Sequence, residues 1–334
     1  MTEIAILLTH PKGSRPWWYG DAALEGLRKL GTVRLNDGDA ELEGERLVAA
    51  ARGCRVIVLD RATRIGAAEM EALPDLAAIL RSGVETRHVD VEAASRLGIL
   101  VTRTNPGYVA STAELILAHM LNVARDIPEY VAAYRSGTKR EPSHGRELSG
   151  ATVGLVGYGR IARHLAKILD VMGMTVLAYD PFAPAALPAV AVGFEDLLAR
   201  SDFIVPILSA TPETRHLLDA DAFGRVKRGA FLVNASRGDV IDEPALLAAL
   251  ESGQIAGAGL DVGWGPDQTP SAMLIAHPRV RATPHIGNLT VEAAARHPAD
   301  TVAQCADVLR GIVPFGALNP DAAFRVGTIT TVKG

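Results

Sequence analysis

The chain has 334 residues, of which 48% are hydrophobic and 22% charged, with a formal net charge of −4; it is long enough to bury more than one core, and two domains are expected. That balance provides no basic field for a polyanion, so nucleic acid is not an expected partner. No apolar run approaches the roughly 20 residues that span a bilayer, so neither is a membrane. The start, MTEIAILLTHPKG, carries an acid where a secretion signal needs positive charge, which makes a cytoplasmic protein the expectation. Cys54 and Cys305 lie far apart with no paired spacing, so neither a disulfide nor a zinc site is expected, and both read as buried fillers.

In chain order, β-rich runs at 3–8, 54–60, 152–157, 175–180, 203–208 and 230–236 alternate with helical patterns. Continuous apolar runs of this kind suit strands covered on both faces, which predicts an α/β protein with parallel, doubly wound sheets. After the first strand comes RPWWYG, where Trp17 and Trp18 could line a ligand site, although packing of the first helix onto its sheet is the expectation. Gly31 and Gly98 follow helical patterns and are expected to end them in the left-handed conformation. Residues 111–138 form the longest helical pattern, with Pro128 expected to kink or split it, and its apolar stripe suits either a core helix or a dimerisation face.

The next element, GLVGYGRIARHLAKILDVMGMTVLAYD, places Gly157, Gly159 and Ala162 in a G-x-G-x-x-A arrangement between an apolar strand and an amphipathic helix. Gly157 permits a tight turn, Gly159 lets backbone approach a pyrophosphate, and Ala162 allows close helix packing. Amides around Arg160 and Ile161 at the helix start can hold the anionic diphosphate. Asp180 ends the next strand, where a carboxylate accepts hydrogen bonds from an adenosine ribose and repels a 2′-phosphate; NAD is the expected cofactor.

Four later or flanking stretches carry a more specific likeness: 79–107, 201–218, LVNASRGDVIDEPALLAALESGQIAGAGLDV at 232–262, and RVRATPHIGNLT at 279–290. Together they closely resemble the D-isomer-specific 2-hydroxyacid dehydrogenases, over nearly the whole chain. The resemblance implies a Rossmann NAD-binding domain, 105–288, inserted in a flavodoxin-like substrate domain made of 1–104 and 289–334, with an active site in the cleft between them; from the chain length, no appended C-terminal regulatory domain is expected. It implies that Arg237 binds the carboxylate and carbonyl oxygen of a 2-oxo or 2-hydroxy acid, a role suited to a planar donor fork, and that His285 is the general acid/base. It further implies that Asp261 hydrogen-bonds the nicotinamide carboxamide. Thr211, Ala235 and Gly287 would line the cofactor, and the backbone at Gly83 and Val84 would donate to the substrate carboxylate. A homodimer follows from the resemblance alone. Arg237 supplies the positive charge, so no metal is expected. His10, His88, His119, His144, His164, His216, His277 and His297 have no comparable context and read as structural or solvated.

The sequence also departs from the family. The acid that partners the histidine is missing at its usual place, five residues after Asp261, where Pro266 stands. One extra residue in GWGPDQ would bring Asp267 onto the acid's position, with Gly263 and Gly265 allowing a rearranged, flexible loop. Asp267 is the expected partner of His285, Gln268 the alternative, and both being plain loop residues the remaining possibility. Trp264 beside this loop is a candidate substrate contact. Ile207 and Ser209 replace a customary His and Pro, and Glu85–Arg87 replace Y-D-N, so the substrate's side chain is left open. Two other readings stand beside the dehydrogenase: an NAD(H)-sensing protein like the corepressors that share this fold, and a formate- or phosphite-type dehydrogenase.

Overall fold

A computed structural model describes residues 4–183 and 186–329, which separate into two compact units: one runs to Gly107 and resumes at Thr290, and the other spans Tyr108–Leu289. In the first unit, β1 (Ala5–Leu8), β2 (Thr32–Leu35), β3 (Val56–Leu59), β4 (Ala78–Arg81) and β5 (Leu100–Arg103) form a parallel sheet in the order β2-β1-β3-β4-β5. Side chains alternate between its faces, so Leu7, Ile57, Ile79 and Val101 enter one core while Ile6, Leu8, Val58 and Leu80 enter the other. Helices cover both faces, which is why these strands read as unbroken apolar runs. The returning segment supplies the helix Val291–Leu309, whose Cys305, Val308 and Leu309 complete the second core. Both cysteines are free and buried.

The second unit holds β6 (Thr152–Val156), β7 (Thr175–Tyr179), β8 (Val190–Ala191), β9 (Phe203–Pro206), β10 (Ala230–Asn234), β11 (Ile255–Leu260) and β12 (Val280–Ala282). They form one sheet in the order β12-β11-β10-β9-β6-β7-β8, with every ladder parallel. The chain winds outward from β6 to β8, then returns and winds the other way from β9 to β12. This reversal opens a crevice beyond the carboxyl ends of β6 and β9, the place where doubly wound sheets bind ligands. The fold class is therefore α/β with parallel, doubly wound sheets, as the apolar runs predict.

Three local expectations change. Gly98 does end the helix Val91–Leu97 with φ 75°, but Gly31 adopts no positive φ. Its missing side chain instead admits the Ile4 carbonyl, 2.4 Å from where a Cβ would stand. The long helical pattern breaks at Asp126 (φ 56°) into Val109–Arg125 and Ile127–Ser136; Pro128 sits in the first turn of the second helix, where its absent N–H costs nothing. Asp126 is held there by ion pairs with Arg140 and Arg281. Finally, Trp17 and Trp18 do not pack onto the sheet: they are 81% and 47% exposed, because the helix carrying them, Arg15–Trp18, is one turn long and buries Arg15 instead.

Candidate active site

Every site residue of the second unit lies in the segment that follows a strand's carboxyl end. Beyond β6, Gly157 turns the chain at φ 93°, and a Cβ there would fall 2.4 Å from the Ile207 carbonyl at the end of β9. Gly159 has a different reason to lack a side chain: nothing of the protein lies within 4 Å of its Cβ position, so the space it leaves is open to a ligand. It begins the helix Arg160–Val171, no side chain caps that end, and the amides of Arg160 and Ile161 remain available to an anion. Ala162 is fully buried against the sheet. Asp180, half-exposed beyond β7, accepts from the amides of Tyr158 (2.7 Å), Phe182 (2.9 Å) and Ala183 (3.0 Å). Burial opposes its ionisation, but these three amides outweigh it and hold the carboxyl below its ordinary range. Thr211, in the exposed turn after β9, donates its amide to the Thr214 hydroxyl at 2.9 Å. These residues suit an anionic dinucleotide: open backbone donors for the diphosphate and an ionised acid for the ribose.

The other half of the edge comes from β10, β11 and β12, which are neighbours in the sheet. Asn234, fully buried, caps the turn after β10 by accepting from the amide (3.0 Å) and hydroxyl (2.9 Å) of Ser236 and donating to the Arg237 carbonyl at 2.9 Å. The turn therefore leaves Ala235 half-buried and Arg237 exposed, with no carboxylate pairing it among the described residues. Beyond β12, His285 adopts φ 54°, a left-handed backbone that a residue with a side chain adopts only when its surroundings impose it.

Asp261, beyond β11, imposes it. The His285 amide donates to its carbonyl (2.9 Å), the Ile286 and Gly287 amides donate to its carboxylate (both 2.8 Å), and so does the Thr283 hydroxyl (2.6 Å). The Asp261 side chain is wholly buried, so the carboxamide contact that the resemblance implies would fall to an atom already enclosed by its own turn. Gly287 is similarly engaged, with its amide on Asp261 and its carbonyl accepting from Thr112 at 3.1 Å.

The GWGPDQ loop also differs from expectation. His285 Nδ1 lies 3.3 Å from the main-chain carbonyl of Asp267, and no ion pair joins the Asp267 carboxylate to the ring among the described residues. The left-handed residues of this loop are Asp267 (φ 55°) and Gln268 (φ 61°), which turn their carbonyls inward and leave both side chains exposed. Gly263 and Gly265 provide close packing rather than flexibility: a Cβ on Gly263 would meet Glu243 at 2.6 Å, and one on Gly265 the Thr269 carbonyl at 2.8 Å. Bonds from the Gly263 amide to the Gln268 carbonyl (3.0 Å) and from the Gly265 amide to the Thr269 carbonyl (2.7 Å) knit the loop together. Trp264, 44% exposed, is pinned by its amide to the buried Glu243 carboxylate (2.8 Å) and stacks on His216 at 5.1 Å. His216 and Glu243 carry no sequence signal for this task.

In the first unit, Gly83 donates its amide to the Arg81 carbonyl at 2.8 Å, so Val84 offers the amide without a protein acceptor among the described residues. The same sheet edge buries a group with no sequence signal: Asp60, bonded by the hydroxyls of Thr9 (2.7 Å) and Thr63 (2.6 Å), with Arg81 and His10 nearby. Desolvation drives the His10 pKa down to about 4. Among the described residues no cluster of His, Cys, Asp and Glu could hold a metal ion, and no helix is long and apolar enough to cross a membrane.

The family model of the D-isomer specific 2-hydroxyacid dehydrogenase NAD binding domain matches residues 117–287. The D-3-phosphoglycerate dehydrogenase of Mycobacterium leprae (strain TN) is 38% identical over 294 residues, covering 86% of this chain and 55% of that protein. The chain thus spans about half the length of the curated relatives it matches. Among solved structures, the TT0316 protein from Thermus thermophilus aligns with a TM-score of 0.79 and 32% identity, covering 94% of this chain and 100% of that one. A D-lactate dehydrogenase with NAD+ from Lactobacillus jensenii aligns with a TM-score of 0.81 and 25% identity, covering 94% and 99%.

Proposed function

The chain belongs to the D-isomer-specific 2-hydroxyacid dehydrogenases, a family of NAD-dependent oxidoreductases, and we propose that it interconverts a 2-oxo acid and the D-2-hydroxy acid. The observation that carries this is the array of Arg237, Asp261 and His285 just past the ends of three neighbouring strands, on the same sheet edge as the open Gly159 turn. NADH, held by the Gly159 turn and Asp180, would supply the hydride for C2 of the substrate. Arg237, exposed and paired with no carboxylate among the described residues, binds the substrate carboxylate through its donor fork. His285 donates a proton to the carbonyl oxygen as the C2–H bond forms, and takes it back in the reverse direction.

Asp267 serves the histidine through its carbonyl. A carbonyl only accepts, so Nδ1 must carry a hydrogen, which leaves Nε2 as the nitrogen that faces substrate. The carbonyl dipole thereby orients the ring as a carboxylate would, without contributing a full charge. Trp264, rigid on His216, forms an apolar wall for the substrate's side chain, and the Val84 amide is the donor that the first unit, as the substrate-binding unit, offers an anion. The helix Ile127–Ser136 buries none of its residues and exposes Ile127, Val131 and Tyr134 along one stripe, which suits contact with a second copy of the chain in a homodimer.

The test is NADH oxidation by the purified protein across small, branched, aromatic and phosphorylated 2-oxo acids. Turnover on at least one of them is expected, reduced about a thousandfold by His285→Asn and by Arg237→Gln while NADH still binds. NADH binding without turnover of any 2-oxo acid would overturn the proposal.

A further inference from the structure

One buried side chain that the proposed chemistry leaves unused is His119, in the middle of the helix Val109–Arg125 and 2% exposed. Its Nε2 lies 2.9 Å from the Thr283 hydroxyl, whose oxygen is 2.6 Å from the Asp261 carboxylate. The direction of each bond follows from its partners. A carboxylate only accepts, so Thr283 gives its hydrogen to Asp261, and the remaining lone pair of that oxygen must accept from His119 Nε2–H. The ring is thereby fixed with its hydrogen on Nε2, and Nδ1 is left bare, buried and without a partner among the described residues. Desolvation holds the ring's pKa below its ordinary value, with the Asp261 charge opposing, so the neutral donor form persists.

The same helix reaches the histidine turn at a second point. Thr112, seven residues and about two turns before His119, donates to the Gly287 carbonyl at 3.1 Å. One helix face therefore grips both ends of residues 283–287, the segment that holds His285 left-handed. The approach is close enough to need a glycine opposite: a Cβ on Gly259 of β11 would fall 2.8 Å from the His119 Cβ. A histidine used only as filler would not explain a directed donor, an enforced tautomer and a glycine that makes room for them.

We infer that His119 is a positioning residue for the proton donor, acting through Thr283 and Asp261 to fix the backbone from which the His285 ring projects. The inference rests on the reading of His285 as the acid/base, but its structural half can be measured without turnover.

The experiment compares His119→Leu, His119→Gln and Thr283→Val with the parent protein, reading kcat and KM, NADH binding, melting temperature, and the His285 ring resonance in protein labelled with 13C-histidine. That resonance is assigned by its loss in His285→Asn. In His119→Leu, kcat should fall about tenfold with NADH affinity within about twofold, and the His285 resonance should shift or broaden. In His119→Gln, whose amide nitrogen can replace the Nε2 donor, kcat should return to within about threefold of the parent and the resonance should move back. Equal losses in the Leu and Gln variants, tracking equal falls in melting temperature, would reduce His119 to a space filler and overturn the inference. So would a Leu variant with the parent's kcat and His285 resonance. If His119→Leu does not fold, Thr283→Val breaks the same chain at its middle, and an unmoved His285 resonance there overturns the inference equally. If the parent turns over no 2-oxo acid, the dehydrogenase reading fails by itself, and the resonance alone still decides the role of His119.

Discussion

Two turns on one sheet edge use their backbone in opposite ways. At the glycine turn after β6 the chain presents its main chain: Gly159 leaves space, the first amides of the following helix are uncapped, and Asp180 braces the turn through the Tyr158 amide. At the histidine turn after β12 the chain presents a side chain, and successive amides of residues 285, 286 and 287 are all consumed by Asp261. The amides of Ile286 and Gly287 form a small anion-binding nest filled by the Asp261 carboxylate, while the His285 amide is taken by the Asp261 main-chain carbonyl. A cofactor diphosphate needs donors that are free in the unliganded chain, whereas a proton donor needs a ring that does not wander, so its backbone must be satisfied from within. The difference explains why an aspartate of similar sequence prominence is half-exposed at one turn and fully enclosed at the other.

The sharpest way to break this contrast is Asp261→Asn. An amide in that pocket must point an N–H at one of the donors that the carboxylate now accepts, so the cost is about 3 kcal/mol of stability. The displaced His285 should lower kcat about a hundredfold, as checked by denaturant unfolding and steady-state rates. At the glycine turn the two glycines should separate. Gly157→Ala meets both a positive φ and the Ile207 carbonyl, and should cost about 2 kcal/mol of stability. Gly159→Ala, at φ −76° in open space, should leave the melting temperature unchanged and weaken NADH binding about tenfold by intruding on the ligand; fluorescence titration reads this directly. The smallest effect is expected for Asp267→Asn: because the ring contact is made by the main-chain carbonyl, kcat and its pH profile should stay within about twofold of the parent. A shifted acidic limb in that variant would mean that the carboxylate itself acts on His285.

The glycine spacing, the terminal acid of β7, the NASRG arginine and the TPHIG histidine can all be read locally, since each lies within a few residues of the strand end that gives it meaning. The loop after Asp261 resists such reading. The identity of Asp267 suggests a carboxylate partner, but the bond to His285 comes from its backbone, and which atom faces the ring depends on the left-handed conformations of Asp267 and Gln268. Gly263 and Gly265 look like sources of freedom in the sequence, and prove to be places where Glu243 and the Thr269 carbonyl come close.

By itself, the sequence determined what depends on short range: parallel strands from unbroken apolar runs, the cofactor turn from glycine spacing, and the family from motifs that each occupy a single strand end. Only the tertiary structure decided how Asp261 is used, because its partners come from the turn beyond β12 and, through Thr283, from a helix that precedes β6. The same is true of His119, which in the sequence is one polar residue within a helical apolar stripe. Its meaning arises when the fold brings it against a glycine of β11 and a hydroxyl beyond β12, since a buried polar atom must find its partner wherever the packing puts one.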